Sequence, residues 1–172
     1  MKKRALVTGG AGFIGSNLVD QLIDDGYEVA IIDNESSTVN AEFYWNDKAE
    51  KYLINITDQK ECSKIFADFK PDYVFHLAAH SRIPVAIKNP IQSCDVNVVG
   101  TCNMLQQSRE HGVKRFMFSS TSSVYGLANE CPLKEDMPRD CLNPYSVSKA
   151  AAEELCKMYY NLFDLETVIF RY

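Results

Sequence analysis

The chain has 172 residues, 46% of them hydrophobic and 24% charged, which is enough for one globular domain with its own hydrophobic core. A formal net charge of −5 leaves no electrostatic footprint for nucleic acid or an anionic membrane surface, and no apolar run reaches the roughly 18 residues needed to span a bilayer. The six cysteines (Cys62, Cys94, Cys102, Cys131, Cys141, Cys156) form no C-x-x-C and sit near no histidine cluster, which predicts free thiols, a reducing cytoplasm and no metal site.

Strands and helices alternate throughout, which predicts an α/β fold: a Rossmann-type doubly wound parallel sheet with helices on both faces. Residues 4–8 form a short apolar strand that stops at a glycine-rich turn, and 13–25 form an amphipathic helix closed by Gly26. Gly9, Gly12 and Gly15 stand in the spacing G-x-x-G-x-x-G. In such a turn the first glycine permits a sharp reversal, the second lets a pyrophosphate approach the backbone, and the third lets helix and strand pack closely. The helix start at Phe13, Ile14 and Gly15 then offers free N–H groups and the positive end of a dipole, which points to a dinucleotide. The second strand is 28–32. Asp33 ends it, 18 residues after Gly15, with Asn34 adjoining. A carboxylate there accepts hydrogen bonds from both hydroxyls of an adenine ribose and repels a 2′-phosphate. No Lys or Arg occurs from Asn34 through Asp47, so NAD is expected rather than NADP.

Residues 36–49 read as a loop with a short helix, and 51–55 as strand three. A helix capped by Thr57 or Asp58 runs to about residue 69. Strand four is 73–77, 91–111 is a long helix closed by Gly112, strand five is 115–119, and 126–142 is a long loop. Asn143-Pro144 opens a helix over 145–163, and 167–171 is strand six. Right-handed crossovers give the sheet order 3-2-1-4-5-6, with a ligand crevice at the carboxyl ends of strands one and four. Tyr145 and Lys149 form Y-x-x-x-K and share one helical face. An ammonium beside a phenol favours phenolate, so Tyr145 is expected to have a lowered pKa and to act as a general base. Ser119-Ser120-Thr121-Ser122-Ser123 follows strand five and can supply a hydroxyl to the same substrate oxygen.

Together these motifs resemble the extended short-chain dehydrogenase/reductase family, especially its NAD-dependent sugar-nucleotide epimerases and dehydratases. The resemblance is carried by Thr8-Gly9-Gly10-Ala11-Gly12-Phe13-Ile14-Gly15 (TGGAGFIG), His76-Leu77-Ala78-Ala79 (HLAA), Asn97-Val98-Val99-Gly100-Thr101 (N-V-x-G-T) and Pro144-Tyr145-Ser146-Val147-Ser148-Lys149 (PYxxSK). It implies that Thr121 holds the substrate oxygen, that Tyr145 is the base, and that Lys149 contacts the ribose and tunes the phenol. Leu77, Ala78 and Ala79 would pass beneath the cofactor, Ile56 and Asp58 would hold adenine, and Ser119 would join the cofactor site. Asn97 belongs to the same site as a structural hydrogen-bonder. The family's 4,6-dehydratases carry Thr-Asp-Glu where this chain has Thr121-Ser122-Ser123. Without those carboxylates, the resemblance implies a UDP-glucose-type 4-epimerase rather than a dehydratase.

The resemblance further implies a nucleotide-sugar substrate and a homodimer through helices 91–111 and 145–163. Family members continue for roughly another domain. Residues 1–172 therefore read as the NAD-binding Rossmann domain without its C-terminal substrate domain, weakly active or inactive alone. A reading from another class is a non-catalytic NAD-binding module that needs a partner. His76 is expected to be a packed core residue, and His80 and Arg82 to lie within reach of substrate.

Overall fold

Apolar residues occupy successive positions in the early strands, so both faces of the sheet must be covered. A computed structural model describes residues 2–37 and 42–172 and shows that arrangement. Six strands, β1 (Arg4–Thr8), β2 (Glu28–Asp33), β3 (Glu50–Leu53), β4 (Tyr73–His76), β5 (Arg115–Ser120) and β6 (Glu166–Arg171), form one sheet in the order β3-β2-β1-β4-β5-β6. All neighbours are parallel. The expected topology is therefore present. Along β1, Ala5 and Val7 face one way with Val19 and Leu22 of α1 (Phe13–Asp24), while Leu6 faces a second, larger cluster. That cluster holds Phe66 of α2 (Gln59–Phe69), Met104 and Leu105 of α5 (Thr101–Glu110), and Ala152 and Cys156 of α6 (Pro144–Phe163).

The helix starts follow local chemistry. Asp58 caps α2 by accepting from the Glu61 amide at 3.1 Å. Asn143 caps α6 reciprocally: its side chain accepts from the Ser146 amide at 2.9 Å, and its own amide donates to Ser146 Oγ at 3.2 Å. Pro144 occupies the first turn, where no amide is required.

Three local expectations need correction. The stretch between strand four and residue 91, given no element from the sequence, contains α3 (Ile83–Lys88). The long helix expected over 91–111 begins at Pro90 and is a continuous run of α4 (Pro90–Cys94), a π-helical stretch (Asp95–Gly100) and α5. Strand three ends at Leu53 rather than 55. The short helix expected within 36–49 falls partly on residues 38–41, outside those described; 42–49 make turns and bends.

Candidate active site

The carboxyl ends of β1, β2, β4 and β5 open onto one crevice of about 510 Å³. Its floor begins at the β1–α1 turn. Gly9 has φ +70°, and a Cβ there would lie 2.7 Å from the Ala78 amide nitrogen. A Cβ on Gly15 would come to 2.1 Å from the Gly9 carbonyl oxygen. Backbone on both sides therefore requires glycine at each position. Gly12 sits at the N-cap of α1, and no side chain caps that helix, so its first amides face the crevice with the dipole's positive end. Phe13 and Ile14 stand at its mouth, 82% and 58% exposed.

At one end lies Asp33. Its Oδ2 accepts from the Ala11 amide (3.1 Å) and its Oδ1 from the Glu35 amide (2.8 Å), which fixes the carboxylate while leaving further lone pairs for a ligand. Asn34, Asn55 and Ile56 line the wall beside it. Asp58 does not line the crevice; its carboxylate caps α2 instead.

At the other end Ser119, Ser120 and Thr121 of β5 and its exit meet Tyr145 and Lys149 of α6. Thr121 Oγ1 accepts from the Ser123 amide at 3.1 Å, and its hydroxyl acts on the Tyr145 phenol beside it. Lys149 is 2% exposed, with Nζ 4.2 Å from the centroid of the Phe118 ring. Among the described residues nothing hydrogen-bonds that ammonium. Burial pulls its pKa down from 10.5 to about 7, against the support of the nearby Cys156 and Glu153 groups. Burial also raises the Tyr145 phenol above its ordinary value, with the Thr121 hydroxyl acting in the opposite sense. The expected lowering of Tyr145 is thus absent in the ligand-free chain, because desolvation dominates both groups.

Leu77, Ala78 and Ala79 pass along the crevice, and His80 and Arg82 continue its lip. His76 is fully buried behind them. Its Nδ1 accepts from Thr8 Oγ1 (2.6 Å), and its Nε2 donates to Thr101 Oγ1 (2.9 Å), which itself donates to the Asn97 carbonyl (2.7 Å). Burial takes its pKa to about 3, so it is a neutral structural group. Asn97 is also behind the wall rather than in the crevice. It accepts from the His80 amide (2.7 Å) and donates to Ser148 Oγ (2.9 Å), tying the lip to α6.

Sequence reasoning missed one cluster. Glu153, four residues after Lys149, is fully buried and pairs with both Arg139 and Arg171. An acidic residue on the same helical face as Lys149 was the available signal.

A family model described as GDP-mannose 4,6 dehydratase matches residues 6–172. The UDP-glucose 4-epimerase of Mycolicibacterium smegmatis is 38% identical over 166 residues, covering 95% of this chain and 53% of its own length. The crystal structure of a UDP-glucose 4-epimerase from Thermotoga maritima with UDP-glucose superposes with a TM-score of 0.93 at 36% identity, over 98% of this chain and 55% of that one. A Thermus thermophilus UDP-glucose 4-epimerase in complex with NAD gives 0.91 at 34%, over 98% and 54%. The chain therefore spans about half the length of the relatives it matches. With the glycine turn, the sheet order and the Tyr–Lys pair all in their places, and with that model matching nearly every residue, the chain belongs to the NAD-dependent epimerase/dehydratase family.

Proposed function

We propose that the crevice binds NAD and belongs to a nucleotide-sugar 4-epimerase of the UDP-glucose type, the 172 residues being its cofactor-binding part. One observation carries this reading: Thr121, Tyr145 and Lys149 converge at one end of a crevice whose only carboxylate, among the described lining residues, is Asp33 at the other. Loss of water from a sugar needs a proton donor and a proton acceptor beyond the tyrosine. Serines at 122 and 123 supply neither, which weighs against a 4,6-dehydratase despite the description of the matching family.

The residues fit NAD. The turn has no room for a Cβ at Gly9 or Gly15, the first turn of α1 has no side-chain cap, and Lys149, 2% exposed, presents an ammonium to the crevice with no hydrogen-bond partner among the described residues. Gly9, Gly12, Phe13, Ile14 and Gly15 would hold the pyrophosphate, Asp33 and Asn34 the adenine ribose, and Ile56 the adenine. Leu77, Ala78, Ala79 and Ser119 would line the path to the nicotinamide. Bound NAD supplies a reversible hydride acceptor at the sugar C4. Lys149 holds the adjoining ribose and, when charged, draws the Tyr145 phenol toward phenolate. Tyr145 takes the proton from the C4 hydroxyl and later returns it, while Thr121 keeps that oxygen in line.

A homodimer is part of the reading. Val147 and Leu162 are exposed on α6, with Leu155 and Met158 only partly covered between them, and Ile91 and Val99 are exposed on the π-containing run. That apolar surface suits a second copy. Six free thiols suit a reducing cytoplasm, and among the described residues no helix is long and apolar enough to cross a membrane.

The test supplies NAD and UDP-glucose and identifies the product. UDP-galactose is expected. A 4-keto-6-deoxy sugar would move the chain to the dehydratases, and NAD binding without conversion in any form of the protein would make it a binding module.

A further inference from the structure

Lys149 is 2% exposed and lines the crevice, and among the described residues no anion contacts its ammonium, yet the reading above needs it charged. The nearest fixed anion stands one helical turn further along α6. Glu153 is fully buried, and its carboxylate is saturated from four directions. Ser120 Oγ donates to Oε1 at 2.5 Å, and Arg171 Nε donates to the same oxygen at 2.9 Å. Arg171 Nη2 and Arg139 Nη2 each reach Oε2 at 2.7 Å. Arg171 is fixed in turn by the Tyr125 hydroxyl (2.8 Å) and the Glu135 carbonyl (3.2 Å).

The placement follows from two periodicities. Lys149 and Glu153 are four apart on one helical face; Phe118 and Ser120 are two apart on one face of β5. Lys149 lies over Phe118 and Glu153 over Ser120, so helix and strand run as a two-rung ladder. Ser120 also pairs in register with Arg171 of β6. Thr121, the proposed holder of the substrate oxygen, directly follows Ser120. The lower rung therefore fixes the strand end that carries Thr121 and places a negative charge beneath Lys149.

We propose that Glu153 is a positioning residue for this site: through its charge, and without direct contact, it favours the cationic form of Lys149 against the effect of burial, while Arg139 and Arg171 set how much of that charge Lys149 feels.

The other groups around Lys149 do not take this role. On α6, Cys156 is buried and its thiol is pushed up to about 12, so it is neutral at pH 7. Tyr145 is held as a neutral phenol by burial. His76, from β4, is neutral. His80 and Arg82 on the crevice lip add no negative charge, Asp33 lies at the far end, and Tyr125 and Tyr172 are phenols. Burial alone would raise the Glu153 carboxyl, but the bonds from Arg171 and Ser120 outweigh it and hold the group below its ordinary value, so it is ionised across the neutral range. Glu153 with its two arginines sums to one positive charge. Converting Glu153 to glutamine raises that to two and disfavours a third cation nearby; removing an arginine does the reverse.

This inference rests on Lys149 serving the proposed reaction, but its test does not. Lysine Cε chemical shifts in the cofactor-free chain give the Lys149 midpoint by NMR titration, whatever the chain catalyses. Glu153→Gln is expected to move that midpoint downward by about one pH unit, as for charges one helical turn apart in a partly screened interior, and Arg171→Gln to move it upward. Arg171→Lys keeps the charge and should leave the midpoint in place. If the buried variants do not fold, Arg139→Gln, on the half-covered loop side of the cluster, should still move it upward. Midpoints that stay together, or that move in the same direction for Glu153→Gln and the arginine variants, overturn the proposal, because loosened packing has no reason to change sign with the charge removed.

Discussion

Asp33 and Lys149 are the two side chains whose chemistry the account depends on most. Asp33 is already oriented by two amides, so its remaining lone pairs meet a ligand without rearrangement. NAD is expected to bind at least tenfold tighter than NADP, and Asp33→Ala to narrow the gap; calorimetry with both nucleotides measures it. Tyr145→Phe should remove most turnover in the form of the protein that is active while leaving NAD affinity largely intact, because the phenolic oxygen is the proton acceptor at the sugar carbon. Thr121→Val should cost less, about 10²–10³-fold, as for one lost hydrogen bond to a reacting oxygen. Lys149 carries a stability signature as well. Below about pH 7 both folded and unfolded chains hold its proton; between there and 10.5 only the unfolded chain does, so folding becomes more favourable as the pH rises through that window. Chemical denaturation of the cofactor-free chain at pH 7 and pH 9 should show this rise, and Lys149→Met should flatten it while stabilising the chain at pH 7. The glycines, Asp33, Tyr145 and Lys149 were legible in the sequence because each is marked by a fixed local spacing. Glu153 was not, because its partners come from the β5 end, the 126–142 loop and β6, brought together only by folding.

Among the elements, the order of the sheet was readable: the central parallel strands are short apolar runs, and crossover handedness leaves one order, while the bounds of the exposed edge strand β3 were not. Two features escaped. The sequence reading gives no element over Ile83–Lys88 and starts the long helix one residue late, at 91; Pro84 and Pro90 each occupy the first turn of a short helix, where no amide is needed. The π-helical stretch has no local signature; it carries Asn97, whose bonds to the His80 segment and Ser148 are tertiary. The β1–α1 turn is the least tolerant element. Gly15→Ala drives a Cβ into the Gly9 carbonyl and should cost about 1–3 kcal/mol of stability, together with NAD binding, in thermal melts with and without NAD. The apolar stripe on α6 and the run from Ile91 should pair with a second copy. A monomer by light scattering at tens of micromolar would contradict that part.

At the scale of the molecule, these residues make a sheet with both faces covered and one crevice that crosses it from Asp33 to Tyr145. They span about half of the relatives they match. Epimerisation draws on the remote nucleotide to orient the sugar. The 172 residues by themselves are therefore expected to bind NAD and to turn over below the usual enzymatic range of about 1–10³ per second. The central claim is that the crevice inverts a sugar C4 by removing and returning the same hydrogen while Tyr145 exchanges only the hydroxyl proton. One NMR measurement tests it: the active form of the protein is given NAD and UDP-glucose in deuterated water, and the product is read at C4. The account predicts UDP-galactose with ordinary hydrogen at C4. Deuterium at that carbon, or a 4-keto-6-deoxy sugar in place of UDP-galactose, would contradict it.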